Sequence, residues 1–510
     1  MGRLKIVGNF IGTKNEIISL NKFTMNKEIF KLEPQRVWKH FYSLTQIPRP
    51  SKHEKAAVDF MVKFGKDNGL ETIVDEVGNV IIRKPATPGM ENRKGIVLQG
   101  HLDMVPQKNS DKNHDFTKDP IEAYVDGEWV TANGTTLGAD NGIGVAATMA
   151  VLEAKDLVHG PVEGLFTIDE ETGMTGAFGL KSGLLKGDIL MNLDSEDEGE
   201  LYVGCAGGLD ANIKFEYKSA PVPSGVTAFR IAITGLKGGH SGMDIVLGRA
   251  NSIKLLFRFL YNVEKILDVK VSSIDGGSLR NAIPREAFAV VVVPNESLAK
   301  FEKAATEHLN IYKAEFAVTE PSLSFIVEKT EMPLSIIDDK VQSNATRAFF
   351  GCPNGVIRMS DTMQGLVETS NNLARVYSDG TAIYGQCLMR SSVETSKDAL
   401  AGKMAAIFEL AGAKIDFTGG YPGWKPNPNS PILKVMQDVY KNKYGKTPEI
   451  KAIHAGLECG LLGGVYPNWD MISFGPTIRF PHSPDEKVNI ATVQKFWDYL
   501  VEVLKNVPVK

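Results

Sequence analysis

Cysteine is scarce in this sequence: there are four in 510 residues, and no two of them form a Cys-x-x-Cys pair. The scarcity excludes a zinc site built from thiolates and a disulfide framework, and it is typical of a reducing compartment, here the cytoplasm. No apolar run is long enough to span a bilayer, so no membrane association is expected. Because the net charge is -4 and no long basic run occurs, nucleic acid is not an expected partner either.

Residues 1–25 lack the apolar block of a secretory signal. This stretch is interpreted as a disordered tail, or as an extension upstream of an alternative start at Met25. The globular part begins with predicted helices, and Ser51 followed by Glu54 predicts a capping box at the start of one of them. Overall, 43% hydrophobic and 23% charged residues are typical of a globular protein of two or three domains.

The stretch from Gly95 to Pro106 predicts a buried strand that ends in chemically active residues. Its apolar run at 96–98 is typical of a parallel strand and leads to His101 and Asp103. Because side chains alternate along a strand, these two point the same way. A carboxylate that accepts one ring N–H of a histidine fixes the tautomer and leaves the other nitrogen for a metal. For this stretch alone, a structural histidine satisfied by the aspartate is the alternative.

Three further segments place acids at the ends of apolar stretches or at a helix entrance. Asp140 follows a glycine-rich turn before an Ala-rich helix, Glu170 and Glu171 follow the stretch 164–168, and Asp194 follows 189–193. Alone, each has a structural alternative, such as a helix N-cap or a solvated turn. Together they predict acids gathered at one edge of an α/β sheet, where ligands bind. Because clustered buried acids are costly without a cation, a bound divalent metal is the simplest explanation.

A second histidine, His482, stands in a proline-rich loop before the last predicted helix, 490–504. A lone histidine in such a loop is more often structural. Imidazole nitrogens and carboxylate oxygens are ligands that suit zinc. With the strand-end residues, His482 completes a candidate ligand set of His101, Asp140, Glu171, Asp194 and His482.

The order of these motifs resembles a known enzyme family. Gly-His-Leu-Asp, Gly-Ala-Asp-Asn-Gly, Asp-Glu-Glu-Thr-Gly, Asn-Leu-Asp and Pro-His-Ser follow one another as in the di-zinc peptidases, which include dipeptidases, tripeptidases, carboxypeptidases and aminoacylases. The resemblance extends from about Leu32 onward and is closest to the aminoacyl-histidine dipeptidases, which cleave Xaa-His and carnosine-like dipeptides. Segments 205–208, 237–244 and 454–459 also resemble that branch.

The resemblance implies a pair of divalent metal ions as cofactors, zinc in the first place, with cobalt or manganese as alternatives. Asp140 would bridge them. One metal would also bind His101 and Asp194, and the other Glu171 and His482. Paired metals about 3.5–4 Å apart match a bridging carboxylate.

The resemblance also implies two catalytic residues beside the metals. Asp103 would orient a histidine ligand, and Glu170 would be the general base that takes a proton from the attacking water and passes it to the leaving amine. The expected substrate is a small dipeptide, hydrolysed in the cytoplasm by a monomer or a homodimer. An aminoacylase or deacylase with the same metals, and a scaffold that binds metal without catalysis, are the alternative functions.

A long insertion predicts a second domain. Two successive sets of strands and helices between Gly208 and Gly420 suggest a weak internal repeat, which resembles the doubled lid of the dipeptidase branch. The predicted fold class is therefore α/β: a mostly parallel-sheet catalytic domain of residues 26–207 and 421–510, with an inserted α+β lid of two β/α sandwiches at 208–420.

The lid contains candidate substrate-binding residues. By the resemblance, His240 in its glycine-rich loop would stabilise the oxyanion of the tetrahedral intermediate, and Arg390 would clasp the substrate carboxylate, a task that suits a bidentate guanidinium. We expect the histidine to act within its own chain. For each residue, a role in a loop or an edge strand is the alternative. The weaker substrate-binding candidates are Asn281, Asn371, Asn372 and Glu458.

Overall fold

The computed structural model describes residues 28–510, so the predicted tail at 1–25 lies outside the described residues. The chain forms two compact units. Unit 1 comprises the chain up to Val203 together with Asn427–Lys451 and Leu461–Lys510. Unit 2 comprises Gly204–Pro426 and Ala452–Gly460.

Both helices and strands occur throughout the described chain, and several strands follow one another without an intervening helix. The α-helices are α1 (Gln35–Thr45), α2 (Lys55–Asp67), α3 (Ala139–Glu153), α4 (Glu170–Gly173), α5 (Thr175–Gly179), α6 (Ser252–Glu264), α7 (Leu298–Glu315), α8 (Asp339–Gly351), α9 (Glu394–Leu410), α10 (Pro431–Tyr444), α11 (Glu458–Val465) and α12 (Ile490–Asn506). The strands are β1 (Glu71–Val74), β2 (Val80–Lys84), β3 (Ile96–His101), β4 (Ala123–Asp126), β5 (Trp129–Ala132), β6 (Val162–Thr167), β7 (Ile189–Asn192), β8 (Glu200–Cys205), β9 (Gly207–Glu216), β10 (Ser219–Ala220), β11 (Val226–Thr234), β12 (Gly239–His240), β13 (Lys270–Gly277), β14 (Ala282–Ile283), β15 (Ala287–Pro294), β16 (Ser324–Lys329), β17 (Ile336–Ile337), β18 (Gly355–Met359), β19 (Val367–Ser378), β20 (Ala382–Ser391), β21 (Lys414–Tyr421), β22 (Glu449–Ile453), β23 (Asp470–Ser473), β24 (Ile478–Arg479) and β25 (Lys487–Asn489).

The central sheet of unit 1 has eight strands in the order β1-β2-β6-β3-β7-β23-β8-β22. Its middle, β6-β3-β7-β23, is parallel, whereas β1–β2, β2–β6 and β23–β8 pair antiparallel. The sheet is therefore mixed, and the prediction of a mostly parallel sheet is wrong. The reason lies partly in a tight turn between β1 and β2, where Asp75 Oδ1 accepts the amides of Val77, Gly78 and Asn79 and folds the two strands into a hairpin.

Helix α3 is deeply buried in unit 1. Every residue from Asn141 to Leu152 is buried, and the helix packs against α1 and β3. Its Ala- and Gly-rich sequence permits this close approach. Despite its apolar character it falls short of a bilayer-spanning segment, and across residues 28–510 no helix is both long and apolar enough to cross a membrane.

Unit 2 is built on one nine-stranded sheet. The strand order is β16-β11-β15-β13-β19-β20-β9-β21, with β18 also paired to β19, and every described pairing in it is antiparallel. Helices α6, α7, α8 and α9 contribute to a large apolar core against this sheet. Because β13 pairs with β19, the two predicted sets of strands share one sheet instead of forming two separate sandwiches.

Candidate metal centre and active site

The ends of three parallel strands define the candidate site in unit 1. Strand β3 ends at His101, which pairs with Thr167 at the end of β6. Strand β7 ends at Asn192, which pairs with Gln99 of β3. The segments that follow β6 and β7 therefore leave the sheet at the edge where His101 lies. Because parallel strands present their carboxyl ends together, this edge is the usual ligand-binding edge of an α/β sheet.

Asp140, at the start of α3, lies between the two histidines. Its Oδ1 is 3.0 Å from Nε2 of His101, and its Oδ2 is 3.3 Å from Nε2 of His482. His101 Nε2 is also 3.5 Å from Asp194 Oδ1, and His482 Nε2 is 2.9 Å from Glu171 Oε2. Each histidine thus faces Asp140 on one side and a second carboxylate on the other.

These side chains form two groups that could hold a metal ion. His101, Asp140 and Asp194 make one group, and Asp140, Glu171 and His482 make the other; within each, the ligand atoms lie within 4.8 Å of one another. Asp140 belongs to both groups through different oxygens. The structure therefore brings all five sequence-predicted ligands together, in the arrangement of a carboxylate shared by two sites.

The carboxylates of the two groups favour positive charge on the neighbouring histidines. Hydrogen bonds to Asp140 and Glu171 raise the pKa of His482 to about 11. Burial lowers the pKa of His101, but the charge of Asp194 and hydrogen bonds to carboxylates outweigh it and raise that pKa well above its ordinary value. Both upward shifts of pKa have the same cause, an excess of carboxylates around the imidazoles, which a divalent cation would also offset.

The donor set fits divalent metal ions. It offers imidazole nitrogen and carboxylate oxygen, as zinc sites with an open position do. Glu171 supplies a further sign, because its Oε1 is buried and has no hydrogen-bond partner in the part of the chain that the structure describes. A buried carboxylate oxygen without a partner is costly, and a metal ion would satisfy it.

Asp103 lies beneath His101 and is fully buried. Nδ1 of His101 is 3.3 Å from Asp103 Oδ1 and 3.2 Å from the backbone oxygen of the same residue, so the aspartate can hold the ring with Nε2 turned to the ligand groups. Its carboxylate also accepts the Ser51 hydroxyl at 2.8 Å. Burial would raise the pKa of Asp103, but hydrogen bonds from His101, Ser51 and the Glu170 amide lower it to about 2.

Glu170 opens the short helix α4, next to Glu171. Its backbone N–H donates to Asp103 Oδ1 at 3.0 Å, and that of Glu171 donates to Asp103 Oδ2 at 3.2 Å. Side-chain atoms of Glu170, Glu171 and His101 lie within 4.8 Å of one another. The predicted base is therefore adjacent to both ligand groups, and its backbone is held by the aspartate that holds His101.

In unit 2, the ring of His240 is held in a defined tautomer. Its Nδ1 accepts the amides of Gly242 at 3.2 Å and Met243 at 3.0 Å, so the proton of the neutral ring lies on Nε2. Burial and the nearby charge of Arg390 lower the pKa of His240. The side chain is therefore a neutral hydrogen-bond donor at neutral pH.

Arg390 and His454 are buried neighbours of this histidine in unit 2. Arg390 is 5% exposed and its guanidinium donates to the Tyr421 hydroxyl at 3.2 Å. Nε2 of His454 is 2.7 Å from the hydroxyl of Ser370. His454 opens the segment 454–459, which resembles the dipeptidase branch, but a single histidine in a loop carries no local signal of burial.

The weaker substrate-binding candidates have diverse surroundings. Asn371 is buried and donates to the backbone oxygen of Pro353 at 2.7 Å. Asn372 is also buried and donates to the backbone oxygens of Arg280 and Ala282. Glu458, at the start of α11, is buried, whereas Asn281 is exposed.

Sequence reasoning missed the buried support of the site. Arg49 is buried and donates to the backbone oxygens of Leu102, Asp103 and Gly138. Glu486 is likewise buried. A charged residue between two prolines and an acid after a histidine are ordinary loop composition, so no local pattern indicates these roles.

The capping box predicted at Ser51 and Glu54 is wrong. Ser51 donates its hydroxyl to Asp103 instead of capping α2, which has no side-chain cap. Glu54 accepts the amide of Lys52 at 2.7 Å. The buried carboxylate of Asp103 is a strong acceptor, and the serine hydroxyl satisfies it.

Comparison with known proteins assigns the chain to a family. The model of peptidase family M20/M25/M40 matches residues 97–506, a range that contains all five candidate ligands. The cytosol non-specific dipeptidase of Escherichia coli (strain K12) is 47% identical over 483 residues, which cover 95% of this chain and 100% of the relative.

Solved structures also resemble this chain. The crystal structure of aminoacylhistidine dipeptidase from Vibrio alginolyticus is 50% identical, with a TM-score of 0.91 over 94% of this chain and 98% of that one. Aminopeptidase PepT from Bacillus cereus ATCC 10987, at 17% identity and a TM-score of 0.55 over 93% of this chain and 99% of that one, shows a likeness of fold alone. The chain described here therefore belongs to peptidase family M20/M25/M40.

Proposed function

We propose that this chain is a metal-dependent dipeptidase that hydrolyses Xaa-His and related dipeptides, including carnosine-like ones. The observation that carries the proposal is the position of Asp140, whose two carboxylate oxygens lie within hydrogen-bonding distance of the two candidate histidine ligands. A carboxylate shared by two ligand groups is suited to a pair of metal ions. The two near-full-length relatives are both dipeptidases by name, and one is a cytosolic protein, which supports a cytoplasmic location for this chain.

Two divalent cations, zinc in the first place, would be held by His101, Asp140 and Asp194 on one side and by Asp140, Glu171 and His482 on the other. When bound, they would supply Lewis-acid polarisation of the scissile carbonyl and lower the pKa of a water molecule. This chemistry is common to cleavage of any amide, so the metals alone do not select a dipeptide.

The protein's own residues would perform the proton transfers and the positioning. Glu170 would take a proton from the attacking water and deliver it to the leaving amine. Asp103 would keep the His101 ring in one orientation, because its carboxylate lies next to Nδ1.

Unit 2 would supply the residues that recognise the substrate, in the manner of a lid formed by the predicted segment 208–420. His240, neutral and with its proton on Nε2, would donate a hydrogen bond to the oxyanion of the tetrahedral intermediate. Arg390 would pair with the substrate carboxylate, as a buried guanidinium does well. The weaker candidates remain Asn281, Asn371, Asn372 and Glu458.

Metal analysis combined with a substrate panel tests the proposal. The panel contains carnosine, several Xaa-His and other dipeptides, tripeptides, and N-acetylated amino acids. We expect two equivalents of divalent metal per chain, dipeptide hydrolysis that stops when a chelator is added, and recovery with zinc. Faster cleavage of the N-acetylated amino acids would identify an aminoacylase, and metal binding without any hydrolysis would identify a scaffold; either result contradicts the proposal.

A further inference from the structure

Glu486 is a buried carboxylate outside both ligand groups, and it binds a row of backbone amides. Its Oε2 accepts the N–H groups of Leu137 at 2.7 Å and Gly138 at 2.9 Å. Its Oε1 accepts those of Ala139 at 2.7 Å and Asp140 at 3.2 Å. One side chain therefore satisfies four consecutive amides where the chain enters α3, a place where amides have no partner within the helix.

These hydrogen bonds connect two ligand-bearing segments that are distant in the sequence. Glu486 follows His482 in the loop before β25, and its backbone is fixed there: its N–H donates to the Ser483 oxygen at 3.0 Å, and its own oxygen accepts the Thr131 hydroxyl at 2.8 Å. The loop that presents His482 and the turn that presents Asp140 are thus held to each other through a single carboxylate.

Arg49 connects the turn before Asp140 to a third segment, the residues at 102–103 that follow His101. Its guanidinium donates to the Gly138 oxygen at 2.6 Å and to the oxygens of Leu102 and Asp103 at 2.9 Å each. The turn before Asp140 is therefore fixed at two kinds of backbone group: its N–H groups donate to the Glu486 carboxylate, and its Gly138 carbonyl accepts from the Arg49 guanidinium.

We propose that Glu486 is a positioning residue that holds Asp140 in place relative to His482, so that Asp140 can be shared by the two metal sites. This inference rests on the proposed function, in which Asp140 is the common ligand. Outer partners that orient metal ligands typically contribute 10- to 100-fold to metal affinity. The four short amide contacts, together with the covalent link to the His482 loop, place Glu486 among such partners.

Two substitutions probe the carboxylate. Glu486→Gln keeps the size of the side chain but turns an NH₂ group toward amides that are themselves donors, so at least one pair of hydrogen bonds is lost. Glu486→Asp keeps the charge but is shorter by one methylene, so it cannot reach both pairs of amides from the same backbone position. Both changes leave every candidate ligand intact.

Glu163, in β6 of the central sheet, provides a matched control. It is also buried, and its Oε2 accepts two consecutive amides, those of Lys186 at 2.7 Å and Gly187 at 2.8 Å. It lies at the start of β6, whereas the candidate ligand Glu171 follows the other end of that strand. Glu163→Gln therefore disturbs a buried carboxylate that binds amides, and also its ion pair with Arg83, without touching the turn at Asp140.

The experiment measures zinc affinity of the metal-free full-length proteins by competition with a chromophoric chelator, and the visible absorption spectrum of the cobalt-loaded proteins. We expect Glu486→Gln to weaken zinc binding about 10- to 100-fold and to alter the cobalt spectrum, and Glu486→Asp to do the same to a smaller extent. Glu163→Gln is expected to lower the melting temperature and leave zinc affinity and the cobalt spectrum as in the wild type.

The outcomes separate the inference from the proposed function. If the wild type binds zinc at two sites and Glu486→Gln matches it in affinity and spectrum, the positioning role is wrong. If Glu486→Gln does not fold, Glu486→Asp decides, and wild-type affinity in that variant overturns the inference. If the wild type itself binds no zinc, the proposed function fails first and the inference falls with it.

Discussion

His454 gives a prediction whose size can be worked out from its surroundings. The side chain is 6% exposed, and burial, with the nearby charge of Arg390, lowers its pKa from 6.5 to about 3. Between these two pH values the unfolded chain binds a proton at this residue and the folded chain does not. The free energy of unfolding that depends on His454 is therefore fully present above pH 6.5 and is lost progressively as the pH falls toward 3.

The expected magnitude follows from the proton linkage. One pH unit below the unfolded pKa, the free energy of unfolding has fallen by about 1.4 kcal/mol, and one unit above it the loss is close to zero. Replacing the residue by His454→Gln removes this contribution. The loss of unfolding free energy between pH 7.5 and 5.5 should therefore be smaller in the variant than in the wild type by about 1.4 kcal/mol.

Urea denaturation of the metal-free proteins, followed by circular dichroism at the two pH values, measures this difference. Working without metal removes the pH dependence of metal binding, and comparing the two proteins cancels contributions that they share. His53→Gln, which removes an exposed histidine, is the control and should behave as the wild type does. Equal losses in the wild type and in His454→Gln would refute the view that His454 is held neutral by burial.

Three further predictions concern the candidate active site. A strong chelator should lower the melting temperature, because Asp140, Glu171 and Asp194 then face one another without cations; an unchanged melting curve contradicts the metal site. Glu170→Gln should retain bound metal but lose about 10²–10⁴-fold in kcat, and near-normal turnover with full metal content removes Glu170 from the role of base. His240→Ala should lower kcat by about 10²–10³-fold with zinc content and fold intact, and full activity would leave that histidine a loop residue. Activity that reappears when His240→Ala and Glu170→Gln subunits are mixed would show that the histidine acts on a partner chain.

The parts of the site that the sequence predicts are those set by local geometry. His101 and Asp103 are two residues apart at the end of an apolar run, so strand alternation alone places them together. The acids after β6 and β7 follow from a second rule, that parallel strands expose their carboxyl ends at one edge of the sheet. Asp140 and His482 are predicted as ligands because their side chains suit the same metal, and only the resemblance assigns their places, since nothing local joins residues separated by 342 positions.

The parts that sequence reasoning missed are contacts between distant segments. Arg49 binds carbonyls 53 to 89 positions away, and Glu486 binds amides 346 to 349 positions away. Their partners are backbone atoms, which every residue has, so no side-chain pattern reveals them. The mixed sheet was missed for a related reason: alternation of strands and helices predicts parallel neighbours, but it does not predict which strands lie at the edges.

The position of β23 in the central sheet has a consequence for synthesis on the ribosome. This strand lies between β7 and β8, yet it emerges after the whole of unit 2 has been made. Until Asp470–Ser473 has left the exit tunnel, β7 and β8 have no common neighbour, and His482, which follows β23 in the chain, is still inside the tunnel. A chain arrested earlier would contain His101, Asp140, Glu171 and Asp194 but would lack His482, so only the first ligand group would be complete. Completion of both candidate ligand groups is thereby tied to nearly finished translation.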